Sequence, residues 1–309
     1  MHHESFWLTA SDSTEFHVNH WSPTQEPDAI VMLVHGMAEH SKRYAHLGAA
    51  LAKAGIALYA LDLRGHGFTA SFGVKGHFGN HDSWQLVLDD IRCLNHHIRQ
   101  QHHEKPIFIF GHSLGSYLVI DYLLQYCCSV QGVILSSSIY IQSTLRYRLA
   151  LLVARFERWR LGKQGRSKLL HWLIYNRYQR AFKPRKTAHD WLSSDEEQVK
   201  LYAQDPLCGF VSTTQLWVDL LNGLRRITPI NNLVQIDNLL PILIFGGEQD
   251  PIHQGHRLLD LANAFRESGN RFVDVKLYPD MRHEPLNEKN SQRVMQDIIE
   301  WIKHNVRQD

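Results

Sequence analysis

The chain has 309 residues, 44% of them hydrophobic and 21% charged, proportions of a globular protein able to bury a large core in one large or two ordinary domains. A net charge of +2 makes no case for nucleic acid as a partner, and no apolar run reaches the roughly 18 residues that a spanning helix needs. The opening Met1-His2-His3-Glu4-Ser5 lacks a basic segment followed by an apolar one, so no signal peptide is expected. Cys93, Cys127, Cys128 and Cys208 have no metal-ligand spacing, and the adjacent Cys127 and Cys128 are awkward to bridge; the expectation is a cytoplasmic protein with reduced thiols.

In chain order, residues 6–9 and 15–21 read as strands of a hairpin around Ser11-Asp12-Ser13-Thr14. Residues 30–34 form a wholly apolar strand, followed by a helix over 43–54 and a strand over 56–61. A long helix over 81–100 carries Trp84, Val87, Leu88, Ile91 and Leu94 on one face. A strand at 107–110 runs into a helix after Ser113, and 132–135 is the next strand. The alternation resumes with strands at 241–245 and 272–277 and helices at 255–267 and 291–306. Eight strands, mostly apolar throughout and separated by amphipathic helices, predict an α/β protein with a largely parallel sheet covered on both faces. Between about 141 and 235 the pattern is helical without a convincing strand. Residues 1–140 and 236–309 are therefore expected to form one core, and 141–235 a helical cap that controls access to a site at the strand ends. Of the 21 histidines, His96, His97, His102 and His103 cluster near a helix end, which reads as solvated rather than metal-binding.

Chemistry concentrates at Gly111-His112-Ser113-Leu114-Gly115, a G-x-S-x-G turn between strand and helix that lifts a serine oxygen above a sheet. An activated serine needs a base, and the base needs a carboxylate to orient it. Asp250, just past the strand at 241–245, and His283, just past the next strand, are the candidates, in the order serine, acid, histidine. Glu248, Asp280 and Glu284 are rival acids, with Asp280 better suited to shaping the histidine turn. Oxyanion donors are expected at the backbone N–H of Leu114 and of Met37, in the loop after the third strand. His35 is read as a support for that loop, and Gly65-His66-Gly67 as a tight loop rather than a phosphate loop.

His35-Gly36-Met37-Ala38-Glu39-His40-Ser41 with Arg43-Tyr44, Asp62-Leu63-Arg64-Gly65-His66-Gly67, the serine turn, Asp250 and Tyr278-Pro279-Asp280-Met281-Arg282-His283-Glu284 together resemble the monoacylglycerol lipase and lysophospholipase branch of the α/β-hydrolases. The resemblance spans about residues 30 to 290. It implies the α/β-hydrolase fold and hydrolysis of a single-chain lipid ester without metal or cofactor. Ser116 and Asp280 stand where relatives commonly carry glycine. A broad esterase or thioesterase for short esters, and a ligand sensor without turnover, are the competing readings.

From 145 to 186 there are thirteen Arg or Lys and one acid, Glu157, a net +12; the remaining 20 basic and 30 acidic residues give −10. Leu145, Leu149, Leu152, Phe156 and Trp159 share one helical face, flanked by Arg146, Arg148, Arg155, Arg158 and Arg160. A second segment, 169–182, mixes Leu170, Trp172, Leu173, Ile174, Tyr175 and Tyr178 with Arg177 and Arg180. Two readings stand: the apolar face packs on the core beneath solvated arginines, or residues 145–186 touch an anionic membrane peripherally.

Overall fold

The computed structural model describes residues 1–126, 129–140 and 145–306, the side chains of Phe72 and Arg146 excepted. Cys127, Cys128 and the start of the expected cap at 141–144 lie outside the described residues. The strands are β1 (His2–Thr9), β2 (Glu15–Ser22), β3 (Ala29–Val34), β4 (Ile56–Leu61), β5 (Ile107–His112), β6 (Gly132–Ser136), β7 (Ile242–Gly247) and β8 (Val273–Tyr278). They form one sheet in the order β1-β2-β4-β3-β5-β6-β7-β8. β1–β2 and β2–β4 pair antiparallel, and all later pairs are parallel. The helices among the described residues are α1 (Ala45–Lys53), α2 (Ser83–Gln101), α3 (Leu114–Gln125), α4 (Leu145–Leu161), α5 (Lys168–Gln179), α6 (Glu196–Gln204), α7 (Thr214–Ile227), α8 (Ile230–Leu233), α9 (His256–Glu267) and α10 (Ser291–Val306). This is the α/β-hydrolase fold.

The apolar strand runs arise from the layering, because successive side chains point to opposite faces and both faces are covered. From β3, Ile30, Met32 and Val34 join one core with Val87, Leu88 and Ile91 of α2, Leu118 and Tyr122 of α3, and Leu258, Leu261 and Phe265 of α9. Val31 and Leu33 join the opposite core with Leu47 and Leu51 of α1 and Val294, Ile298 and Ile302 of α10. After β4 the chain crosses to the other side of β3 to lay down β5. Strand order therefore reverses at β3 and β5, and a crevice opens beyond their C-terminal ends.

Two sequence expectations change. The histidines near the end of α2 are not all solvated, because the β1–β2 hairpin folds over them. His97 packs 5.2 Å from the Phe6 ring, and His102 Nε2 lies 2.9 Å from the Tyr59 hydroxyl, while His96 is exposed and bonds to Gln100. In α4, the reading that packs the apolar face on the core is overturned, because that face points outward: Leu145 is 72% exposed and Trp159 79%, with Leu149, Leu152 and Phe156 also exposed. The helix buries a different set, Tyr147, Leu151 and Ala154, and docks on α7. Between β6 and β7 the described residues contain α4 to α8 and no strand. Among the described residues, no helix is long and apolar enough to cross a membrane.

Candidate active site

β5 ends at His112 and α3 begins at Leu114, so the whole strand-to-helix turn falls on Ser113. Its backbone has φ +49° and ψ −115°, a conformation that strains an L-residue. Tight packing holds it there. Ser113 N–H donates to the Ser136 carbonyl at 2.9 Å. A Cβ on Gly111 would stand 2.6 Å from Ser116 Cα, and one on Gly115 would stand 2.0 Å from the Val34 carbonyl oxygen. Both positions admit only glycine, which explains the spacing of the motif. Ser116 fits behind the turn and donates from its hydroxyl to the Ser113 carbonyl at 2.6 Å.

His283 reaches this turn from the loop after β8. Its Nε2 lies 3.0 Å from Ser113 Oγ and its Nδ1 2.6 Å from Asp250 Oδ2. The close approach of the two loops depends on Gly247, where a Cβ would meet the Met281 carbonyl oxygen at 2.1 Å. Asp250 Oδ1 accepts the Ile252 N–H at 2.8 Å. Asp250 and His283 are buried, and Ser113 is half-exposed. Burial alone pulls the His283 pKa down, but the Asp250 carboxylate, with Glu284 and Glu39 behind it, carries it above the ordinary histidine value. Burial pushes the Asp250 carboxyl up, and His283 together with His253 and the Ile252 N–H more than offsets this, holding it below its ordinary value. The rival acids do not compete: Glu248 and Asp280 are exposed, and Glu284 is engaged elsewhere.

The loop after β3 closes the other side. Met37 and Leu114 line the same cavity as Ser113 and His283. His35 Nε2 accepts the Leu63 N–H at 3.0 Å, so its Nδ1 carries the proton and donates to the Gly36 carbonyl at 2.8 Å; it braces the loop. Glu39 accepts from Gly36 N–H at 2.6 Å, from the Tyr44 hydroxyl at 2.9 Å and from Arg43 at 2.8 Å. Arg43 in turn forms a two-pronged pair with Glu284 at 2.8 and 2.6 Å. The loops carrying Met37 and His283 are thus joined through one buried guanidinium. Gly65 and Gly67 have φ +68° and +50°, and a Cβ on Gly67 would strike the Asp62 carboxylate at 2.2 Å, the tight loop expected from the sequence.

A cavity of about 210 Å³ opens at Ser113, with Leu114, Tyr117, Ile139, Ile174, Trp217 and Leu224 in its mainly apolar wall. Sequence reasoning missed the residues that hold the histidine loop from the α4–α8 side. His283 N–H donates to the Trp191 carbonyl at 3.4 Å, Glu284 N–H to that of Leu192 at 2.8 Å, and Arg282 to that of Ser193 at 2.9 Å. The Trp191 ring lies 5.0 Å from that of His283. No periodicity or spacing marks these contacts, since they join segments roughly ninety residues apart.

The sequence profile of the Serine aminopeptidase, S33 family matches residues 25–290. The chain is 27% identical over 285 residues to the monoacylglycerol lipase of Mycolicibacterium smegmatis, covering 91% of this chain and 90% of that one. It is 24% identical to the monoglyceride lipase of Rattus norvegicus, covering 97% and 90%. A thermostable carboxyl esterase from Bacillus coagulans, solved with glycerol, superposes with a TM-score of 0.90 at 25% identity over 99% of both chains. The chain belongs to the Serine aminopeptidase, S33 family of α/β-hydrolases and is a carboxylic ester hydrolase.

Proposed function

We propose that the chain hydrolyses esters of single-chain lipids, monoacylglycerols or lysophospholipids, through an acyl intermediate on Ser113. The observation that carries this reading is the hydrogen-bonded series Ser113, His283, Asp250 opening into an apolar cavity. Ser113 Oγ attacks the ester carbonyl carbon as its proton passes to His283 Nε2. The imidazolium beside Asp250 then protonates the departing alcohol as the carbon–oxygen bond breaks. Water repeats the sequence on the acyl-serine, releasing the fatty acid and restoring the hydroxyl. The N–H groups of Met37 and Leu114 receive the negative charge on the carbonyl oxygen in both tetrahedral steps. The names of the M. smegmatis and R. norvegicus relatives support a monoacylglycerol, and the apolar wall supports an acyl chain. Ile174, Tyr175 and Tyr178 of α5 line the cavity, and the outward apolar residues and surrounding arginines of α4 and α5 suit a lipid surface of anionic headgroups.

Ser113→Ala is expected to lower kcat by about 10⁴-fold or more and to abolish labelling by a fluorophosphonate. Near-normal turnover in that variant would remove the assignment. Hydrolysis of a graded series of monoacylglycerols, lysophospholipids and p-nitrophenyl esters tests the substrate: medium and long chains are expected to lead. Activity confined to short water-soluble esters would make the protein a general esterase.

A further inference from the structure

A second histidine faces Asp250. His253 sits between β7 and α9, wholly buried, with Nε2 3.2 Å from Asp250 Oδ2, the oxygen that also faces His283. Its tautomer is set by its other nitrogen. Nδ1 accepts the Gly255 N–H at 3.0 Å and so carries no proton; in the neutral ring the proton is on Nε2, on the side of the carboxylate. The contact is bent from the hydrogen-bond axis, and no aligned partner takes Nε2 among the described residues. Burial holds His253 below the ordinary histidine range, against the pull of Asp250. Space for the ring comes from β7: a Cβ on Gly246 would stand 2.6 Å from His253 Nε2.

We propose that His253 is a positioning residue for the Ser113–His283–Asp250 series, holding the Asp250 carboxylate in register and tempering its charge. The inference rests on the roles assigned above to those three residues. With Oδ1 on the Ile252 N–H and Oδ2 between two imidazoles, the carboxylate cannot turn without losing a partner. A neutral N–H draws charge from Oδ2 without placing a cation beside His283. Removing it leaves a more basic carboxylate, and His283 then holds its proton to higher pH. The other groups in electrostatic reach of His283 are Glu284, Glu39 and His112. Tyr117 and Tyr178 lie around Asp250 with Arg257 in reach of both tyrosines, and His256 lies beside His253. A change at residue 253 leaves all of these in place.

The test compares His253→Gln, which sets an amide N–H where Nε2–H stood, with His253→Met, which fills the space without a donor. kcat and KM for a soluble ester are measured from about pH 5 to about pH 9, normalised to active sites titrated with a fluorophosphonate so that unfolded chain is not counted. His253→Met is expected to lose about tenfold in kcat at nearly constant KM, and its acid limb to move up by about half a pH unit. His253→Gln should keep the limb and most of the rate. Equal losses in both variants with an unmoved limb, or full activity in His253→Met, would overturn the proposal. If His253→Met yields no titratable sites, Gly246→Ala, which pushes the ring off the carboxylate, is expected to show the same upward shift, and an unmoved limb there counts against it. Ser113→Ala, run alongside, separates the two readings. Activity surviving in it removes the nucleophile, whereas an inert Ser113→Ala with an unaltered His253→Met removes only the role of His253.

Discussion

Arg43 is the residue whose surroundings say most about how the site is held. Its guanidinium is buried between Glu39, which anchors the loop of Met37, and Glu284, the residue after His283. Burial opposes its charge, but Glu284 and then Glu39 raise its pKa well above the ordinary value. An ion group of this kind adds little over an apolar replacement of the whole set, yet removing one member strands the others. Arg43→Met is therefore expected to destabilise the fold by about 3–5 kcal/mol, read as an earlier urea midpoint, with activity falling in parallel. An unchanged midpoint would show that the two carboxylates find compensation elsewhere. Ser113, Asp250 and His283 were legible in the sequence because each comes just after a strand end within a recognisable turn. The union of Glu39 with Glu284 was not. It depends on two loops 245 positions apart in the sequence meeting across the strand ends, and Glu284 read alone looks like one more candidate acid.

Among the elements, α4 shows where periodicity stops being informative. Two stripes satisfy helical spacing, 145/149/152/156/159 and 147/151/154, and the sequence favours the first because its side chains are larger and more apolar. The structure buries the second, and α4 docks on α7. In α5, Leu169, Trp172 and Leu173 are exposed as well. Withdrawing a large apolar side chain from a lipid surface costs about 1.5–3 kcal/mol. Phe156→Ser with Trp159→Ser is thus expected to weaken sedimentation with anionic vesicles by at least about tenfold, leaving cleavage of a short soluble ester near normal. Added salt should weaken binding of the unaltered protein to anionic vesicles and hardly affect binding to neutral ones. Equal binding to both at every salt concentration would dismiss the lipid-surface reading.

For the whole molecule, the unusual feature is how many histidines are enclosed uncharged. Burial pushes His66 down to about 3 and His112 to about 4, and it lowers His35 as well. Below about pH 6.5 the unfolded chain binds protons that these rings refuse, so stability present at neutral pH is lost as pH falls toward their folded values. His283 works in the opposite sense: its raised pKa contributes stability below the unfolded value, lost as pH rises through the folded one. Below about pH 6.5 His283 is protonated in both states and adds no slope, so the lowered rings set the sign there and stability falls as the pH drops. Urea midpoints at pH 7.5 and about pH 5.5 should differ accordingly; equal midpoints would mean that the rings protonate without unfolding. At this scale the strands and core helices were readable from apolar runs and amphipathic spacing, with ends displaced by a residue or two except at β1, which starts four residues before the strand read at 6–9. Strand order was not, because nothing local states that β4 and β5 flank β3.

The carbonyls of Trp191, Leu192 and Ser193 carry a consequence for the modularity of the chain. They lie between β6 and β7 among residues that look like a replaceable cover, yet they receive the backbone and guanidinium donors of the loop bearing His283. A cover transplanted from a relative would have to supply equivalent acceptors at that place, or leave Ser113 facing an unmoored His283. A transplanted cover is therefore expected to keep the loop of His283 in place only when the stretch from Asp190 to Ser193 is retained with it.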